Sequence, residues 1–82
     1  MKHYYKREAE SEFGEGVAYI EIDGDWPSRQ VEIYGDTWLR GDESRLERLA
    51  DQPFAVLELG PEYQIEEAEF ERIWREAVER CP

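Results

Sequence analysis

The chain has 82 residues, with 10 Lys or Arg against 21 Asp or Glu, and so carries a net charge of −11. This length allows one domain with a small core, and five Tyr, three Trp and three Phe argue against disorder in so acidic a chain. The charge disfavours nucleic acid and anionic membranes, because every phosphate contact needs a cation and the longest basic cluster is Lys6-Arg7; a basic protein surface suits it better.

No apolar run approaches the roughly 18 residues that span a bilayer. The basic residues near the start are not followed by the apolar segment of a secretory signal. Cys81 is the one cysteine, so no internal disulfide can form. Together these features predict a cytoplasmic protein.

The first predicted strand covers residues 4–13 and closes at Gly14-Glu15-Gly16. It sets Ala9, Ser11 and Phe13 on one face and Glu8, Glu10 and Glu12 on the other. Residues 17–23 alternate with period two and are rich in β-branched and aromatic side chains, the pattern of a strand. A turn at residues 24–28 leads into a third strand at 29–34. With Ile20, Ile22, Val31 and Ile33 on a shared core face, the expected register sets Ile22 opposite Val31, Glu21 opposite Glu32 and Tyr19 opposite Tyr34. Glu8, Glu10, Glu12, Glu21, Asp23 and Glu32 then form an acidic outer face, with Lys6 its expected cation.

Residues 37–40 fit a short fourth strand. Ser44-Arg45-Leu46-Glu47 has the spacing of a capping box and predicts a short helix through Ala50, limited by Pro53. The apolar run at 54–59 fits a buried strand or an extended packing segment. Finally, Phe70, Ile73, Trp74, Ala77, Val78 and Cys81 recur at helical spacing and form one apolar stripe. Glu66, Glu67 and Glu69 lie in the first turn, where the helix dipole favours anions. The expected fold is α+β: one domain over residues 1–82, with an antiparallel meander of three to five strands packed on the C-terminal amphipathic helix in two layers.

Like charges facing each other on a sheet are destabilising, so Glu21 against Glu32 calls for an explanation. One is a docking surface for a basic protein; the other is a solvated face balanced by Lys6, Arg7 or Arg29. Trp26, in a turn before Pro27, can serve as an interface anchor or fold back as a lid, whereas Trp38 and Trp74 are expected in the core. The candidate partner-binding set is therefore Tyr19, Glu21, Asp23, Trp26, Arg29, Glu32 and Tyr34. No catalytic residue, metal ligand or cofactor motif is assigned. Asp23-Gly24-Asp25 lacks the rest of a calcium loop, a lone His3 with a lone Cys81 makes no zinc site, and Gly14-Glu15-Gly16 is not a phosphate-binding loop.

Arg29-Gln30-Val31-Glu32-Ile33-Tyr34 and Glu69-Phe70-Glu71-Arg72-Ile73-Trp74-Arg75-Glu76-Ala77 resemble the R-x-V-E-x-[YF] strand and terminal E-F-E-x-[IV]-W-x-x-A helix of a family of small bacterial proteins of unassigned function. The resemblance covers about half the chain. It implies a small α+β domain and no particular activity, and the chain departs from it at Glu66, where that family has a Ser cap. Three functions are consistent with the sequence. The first is a non-catalytic interaction module for a basic protein, of which an immunity or inhibitor protein is one version. The second is a small enzyme with paired carboxylates, such as a glycan hydrolase. The third is a self-associating ligand-binding domain.

Overall fold

Short Gly-Asp loops turn the chain back on itself. Gly24 and Gly35 each open a two-residue loop with φ of 69° and 63°, a backbone region that side chains with a Cβ resist and that tight hairpins need. In the computed structural model, which describes residues 1–81, these loops join β2 (Gly14–Asp23) to β3 (Trp26–Tyr34) and β3 to β4 (Thr37–Gly41). β1 (Lys2–Ser11) precedes them, and β5 (Gln64–Ile65) adds to its far side. The result is one antiparallel five-stranded sheet in the order β4-β3-β2-β1-β5.

The C-terminal helix forms where its stripe predicts, over Glu67–Arg80. It buries Phe70, Ile73 and Ala77 against Tyr4, Tyr19 and Val31, with Val17, Ile33, Trp38, Ile65 and Trp74 packed around them. Full burial of a side chain such as Phe70 contributes about 1.5–3 kcal/mol. Trp38 and Trp74, expected in the core, are half-buried at its border, while Val78 at the end of the stripe is exposed. Glu66 occupies the N-cap position without making a side-chain cap bond.

The opposite sheet face is apolar too. Tyr5, Ala18, Ile20 and Ile22 pack there under Leu57 and Leu59, with Ala9, Ala50 and Phe54 alongside. Coverage of both faces overturns the expected register. Val17 pairs with Ile33, Tyr19 with Val31 and Glu21 with Arg29, and an irregularity after Glu21 then sets Ile22 against Pro27. Relative to the expected pairing the strands are slipped by an odd number of residues, which exchanges the two faces of one strand. Ile20 and Ile22 therefore point away from Val31, and Glu21 faces a cation instead of Glu32. Alternation could not reveal this, because β2 carries large apolar groups on both faces.

The connection from β4 to β5 differs from expectation in two places. Ser44 caps no helix: its backbone N–H and its hydroxyl both donate to Asp42 Oδ1, at 2.9 and 2.7 Å, a local turn that competes with helix initiation. Only a 3-10 turn at Leu46–Arg48 follows. The run at 54–59 does not join the sheet; it forms the four-residue helix α1 (Phe54–Leu57), stopped by Glu58 in the left-handed region. The long helix Glu67–Arg80 is α2. Phe13, expected on the core face, lies in the β1–β2 turn, 45% exposed, with its ring centroid 5.9 Å from that of Tyr34.

Candidate interaction surface

The seven candidate residues do not share a surface; the structure divides them into three groups and leaves Tyr19 apart. The first group is buried. Glu21 is 1% exposed beneath α2. Arg29 Nε donates to Glu21 Oε1 at 2.9 Å and Nη2 to Oε2 at 2.6 Å. The same guanidinium reaches the helix, where Nη1 and Nη2 donate to Glu71 Oε1 at 3.1 Å and Oε2 at 2.7 Å. A planar guanidinium can hold two carboxylates in this way, whereas an ammonium cannot. Its centre lies 5.1 Å from the Phe70 ring centroid and 5.0 Å from that of Trp74, so cation–π attraction adds to the pairing.

Ser28 Oγ donates to Glu21 Oε1 at 2.7 Å, and Lys2 Nζ lies 3.9 Å from Oε2. Burial pushes the Glu21 carboxyl upward, but the bonds from Arg29 and Ser28 and the charges of Arg29 and Lys2 outweigh it and hold the group below the usual carboxylate range. The hydrogen bond to Glu21 is the main influence on Arg29; with the bond to Glu71 it raises the guanidinium pKa further, against the effect of burial. Glu21 and Arg29 thus clamp sheet to helix and are unavailable to a partner. Glu71 was not among the sequence candidates, although it sits beside Phe70 in one of the two quoted motifs and meets Arg29 of the other.

The second group lies on the opposite face. The Tyr34 hydroxyl donates to Glu32 Oε1 at 2.7 Å, and Tyr34 is buried. Burial, followed by the bond to Glu32, raises the Tyr34 pKa. Tyr19 is buried on the helix face, with Lys6 Nζ 5.3 Å from its ring centroid. Neither tyrosine offers a contact surface.

The third group is accessible. Asp23 and Trp26 pair at the tip of the β2–β3 hairpin, where Trp26 is 54% exposed. The tip is held from two sides: Gly24 N–H donates to Met1 O at 3.1 Å, and Phe54 N–H donates to Asp25 O at 2.7 Å. These bonds brace the loop that carries the exposed indole. Trp26 thus stands outward, next to Asp25 and across the hairpin from Asp23, and is not a lid on the core.

Charge is distributed unevenly between interior contacts and solvent. Most cations are engaged within the fold. Arg7 Nη1 donates to Leu57 O at 2.6 Å, Arg40 Nε to Cys81 O at 2.6 Å and Arg45 Nη1 to the same carbonyl at 3.1 Å. Arg80 pairs with Glu76 at 2.8 Å and sits 4.6 Å from the Trp38 ring centroid. Many carboxylates stay in solvent: Glu8, Glu10, Glu15, Asp23 and Asp25 are exposed and make no ion pair among the described residues. Glu10 and Glu15 face each other across β1 and β2.

A shallow cleft of about 770 Å³ beside β5 is lined by Lys2, His3, Tyr4, Gln64, Glu66 and Glu67, among others. The Tyr4 hydroxyl donates to Glu67 Oε2 at 3.2 Å. Burial first, then the Glu21 charge and Glu67, push Tyr4 up to about 12, so it stays protonated at neutral pH. Among the described residues, no three or more His, Cys, Asp or Glu are grouped to hold a metal ion, and no helix is long and apolar enough to cross a membrane. No protein family, curated protein or solved structure matches the chain.

Proposed function

We propose that the protein is a non-catalytic interaction module that binds a basic protein through its exposed carboxylates. One observation carries this reading: the fold engages most of its cations in intramolecular contacts and leaves an excess of carboxylates in solvent, with a braced, exposed Trp26 beside two of them, Asp23 and Asp25, at the β2–β3 hairpin tip. Such a surface steers a basic partner into contact and repels anionic ones, and the exposed indole supplies apolar contact area at the hairpin tip. Glu21 and Arg29 hold that surface in place from below instead of touching the partner. An immunity or inhibitor role against a nucleic-acid-binding protein is one form of this function, since an acidic surface competes with phosphates. Carboxylate-based hydrolysis has less support, because it needs an acid with a raised pKa, and Glu21, the buried carboxyl, is held below the usual range by Arg29 and Ser28.

Affinity capture from lysate of the source organism, washed at low and at high salt, tests the proposal. The comparison variants are Asp23→Lys/Asp25→Lys and Trp26→Ala. A basic protein retained at low salt, released at high salt and weakened by either variant is the expected result. No captured protein at either salt, or capture indifferent to salt and to both variants, would overturn the proposal.

A further inference from the structure

We propose that the outer edge of β1 over residues 6–11 takes up an extended basic segment of the partner as an added strand of the sheet. This rests on the reading of the protein as a binder of basic proteins, and it adds the form in which the partner's backbone is held.

β1 is 10 residues long, but on its outer side β5 pairs only with Tyr4 and Tyr5. In an antiparallel ladder, backbone groups of successive residues point to alternate sides. Ser11 pairs with Gly14 to close the hairpin, and Met1 O accepts from Gly24 at its other end. Odd-numbered residues of β1 therefore bond to β2. The N–H and C=O groups of Lys6, Glu8 and Glu10 point outward, and among the described residues they have no backbone partner. Such an edge is a template for another strand.

Side chains define which strand. Lys6, Glu8 and Glu10 project from the same sheet face and are exposed, and Glu15 lies across from Glu10. A strand with Lys or Arg at alternate positions would set its cations against Glu8 and Glu10, and opposite-charge cross-strand pairs are favourable. Beside the edge is a hollow of about 510 Å³ lined by Lys6, Arg7, Glu8, Val17 and Tyr63. Its apolar members can receive the aliphatic stem of such a cation, and the Tyr63 ring can receive its charge. A second copy of the chain fits less well. The self-pairing that uses all three outward-facing residues sets Lys6 against Glu10, but it sets Glu8 against Glu8 and joins two chains of charge −11 each.

The test uses the full chain labelled with 15N, titrated with a capped six-residue peptide alternating Lys and Val. A second peptide of equal charge is N-methylated at the amides that would face β1. The expected result is shifts centred on the amides of Lys6, Glu8 and Glu10, with slower hydrogen exchange there. The methylated peptide should bind about tenfold more weakly or worse, as lost ladder bonds require. Glu8→Lys/Glu10→Lys should abolish binding with the melting temperature retained. Equal binding of both peptides, shifts confined to Asp23–Trp26, or no binding would overturn edge docking. So would a doubled mass of the free protein, which would mean a second copy fills the edge. The capture experiment judges the broader proposal separately: a basic partner that cross-links only away from β1 would preserve that proposal and remove this one.

Discussion

Glu21 and Glu10 are both acidic residues on neighbouring antiparallel strands, yet their environments are opposite. Glu21 is buried on the helix face, faces Arg29 across the ladder, and its carboxylate accepts two hydrogen bonds from Arg29 and one from Ser28. Glu10 is exposed, faces Glu15 and has no ion-pair partner among the described residues. The first carboxylate had to be paired to be buried, since an unpaired charge in the interior is prohibitively costly. The second is tolerated unpaired because water solvates it. An acidic residue under the helix is thus part of the scaffold, whereas one beyond it is free to meet a partner.

The largest test of this contrast is Arg29→Met. It leaves Glu21 buried without its principal partner and should cost about 3–5 kcal/mol, read from urea unfolding. The double variant Glu21→Leu/Arg29→Met should cost less than Arg29→Met alone, because no orphan charge remains. If the single variant lost under about 1 kcal/mol, the clamp would be no more than a surface pair.

The pH dependence sharpens the same contrast with a smaller effect. Glu21 has a lowered folded-state pKa, so its contribution is present above the unfolded carboxyl value, near 4.3, and is lost as pH falls through the folded value. Glu21→Gln should therefore flatten the acid limb of a stability profile below about pH 4. At the alkaline end Tyr4 is pushed up to about 12. Its contribution is present below the unfolded value near 10 and is lost as pH rises towards 12, and Tyr4→Phe should remove that alkaline loss. Unchanged profiles in both variants would show that neither burial matters to linkage.

The smallest effect lies at the exposed end. Glu10→Lys replaces a facing pair of like charges with opposite ones and should stabilise by about 0.2–1 kcal/mol. Salt should raise the melting temperature of the parent chain by screening its −11 charge, and should raise that of Glu10→Lys less. A destabilised Glu10→Lys would mean that Glu10 has a structural partner after all.

Much of the architecture was legible in local patterns. The stripe from Phe70 to Ala77 marked α2, and the Gly-Asp turns marked two hairpins, because helical period and positive-φ loops are properties of short segments. The candidate site was less legible. Asp23 reaches the surface because a tight turn stays in solvent, which is a local fact, but the sequence left Trp26 open between anchor and lid, and its exposure is a finding of the structure. Glu21, Arg29, Tyr19 and Tyr34 go inside for reasons that depend on distant residues. The 54–59 run misled for the same reason: its apolar content shows that it is covered, but Glu58 in the left-handed region and Leu57 against the far sheet face decide its shape.

An acidic α+β fold with a C-terminal helix and a meander of hairpins follows from local signals, since charge, periodicity and turn chemistry are all encoded within a few residues of one another. Which way each strand faces depends on long-range packing. Both sheet faces are covered, so a strand apolar on both sides has no intrinsic inner face. The choice is made when Glu71 of α2 and Glu21 of β2 close on Arg29, an arrangement spanning 42 positions of the chain from Arg29 to Glu71.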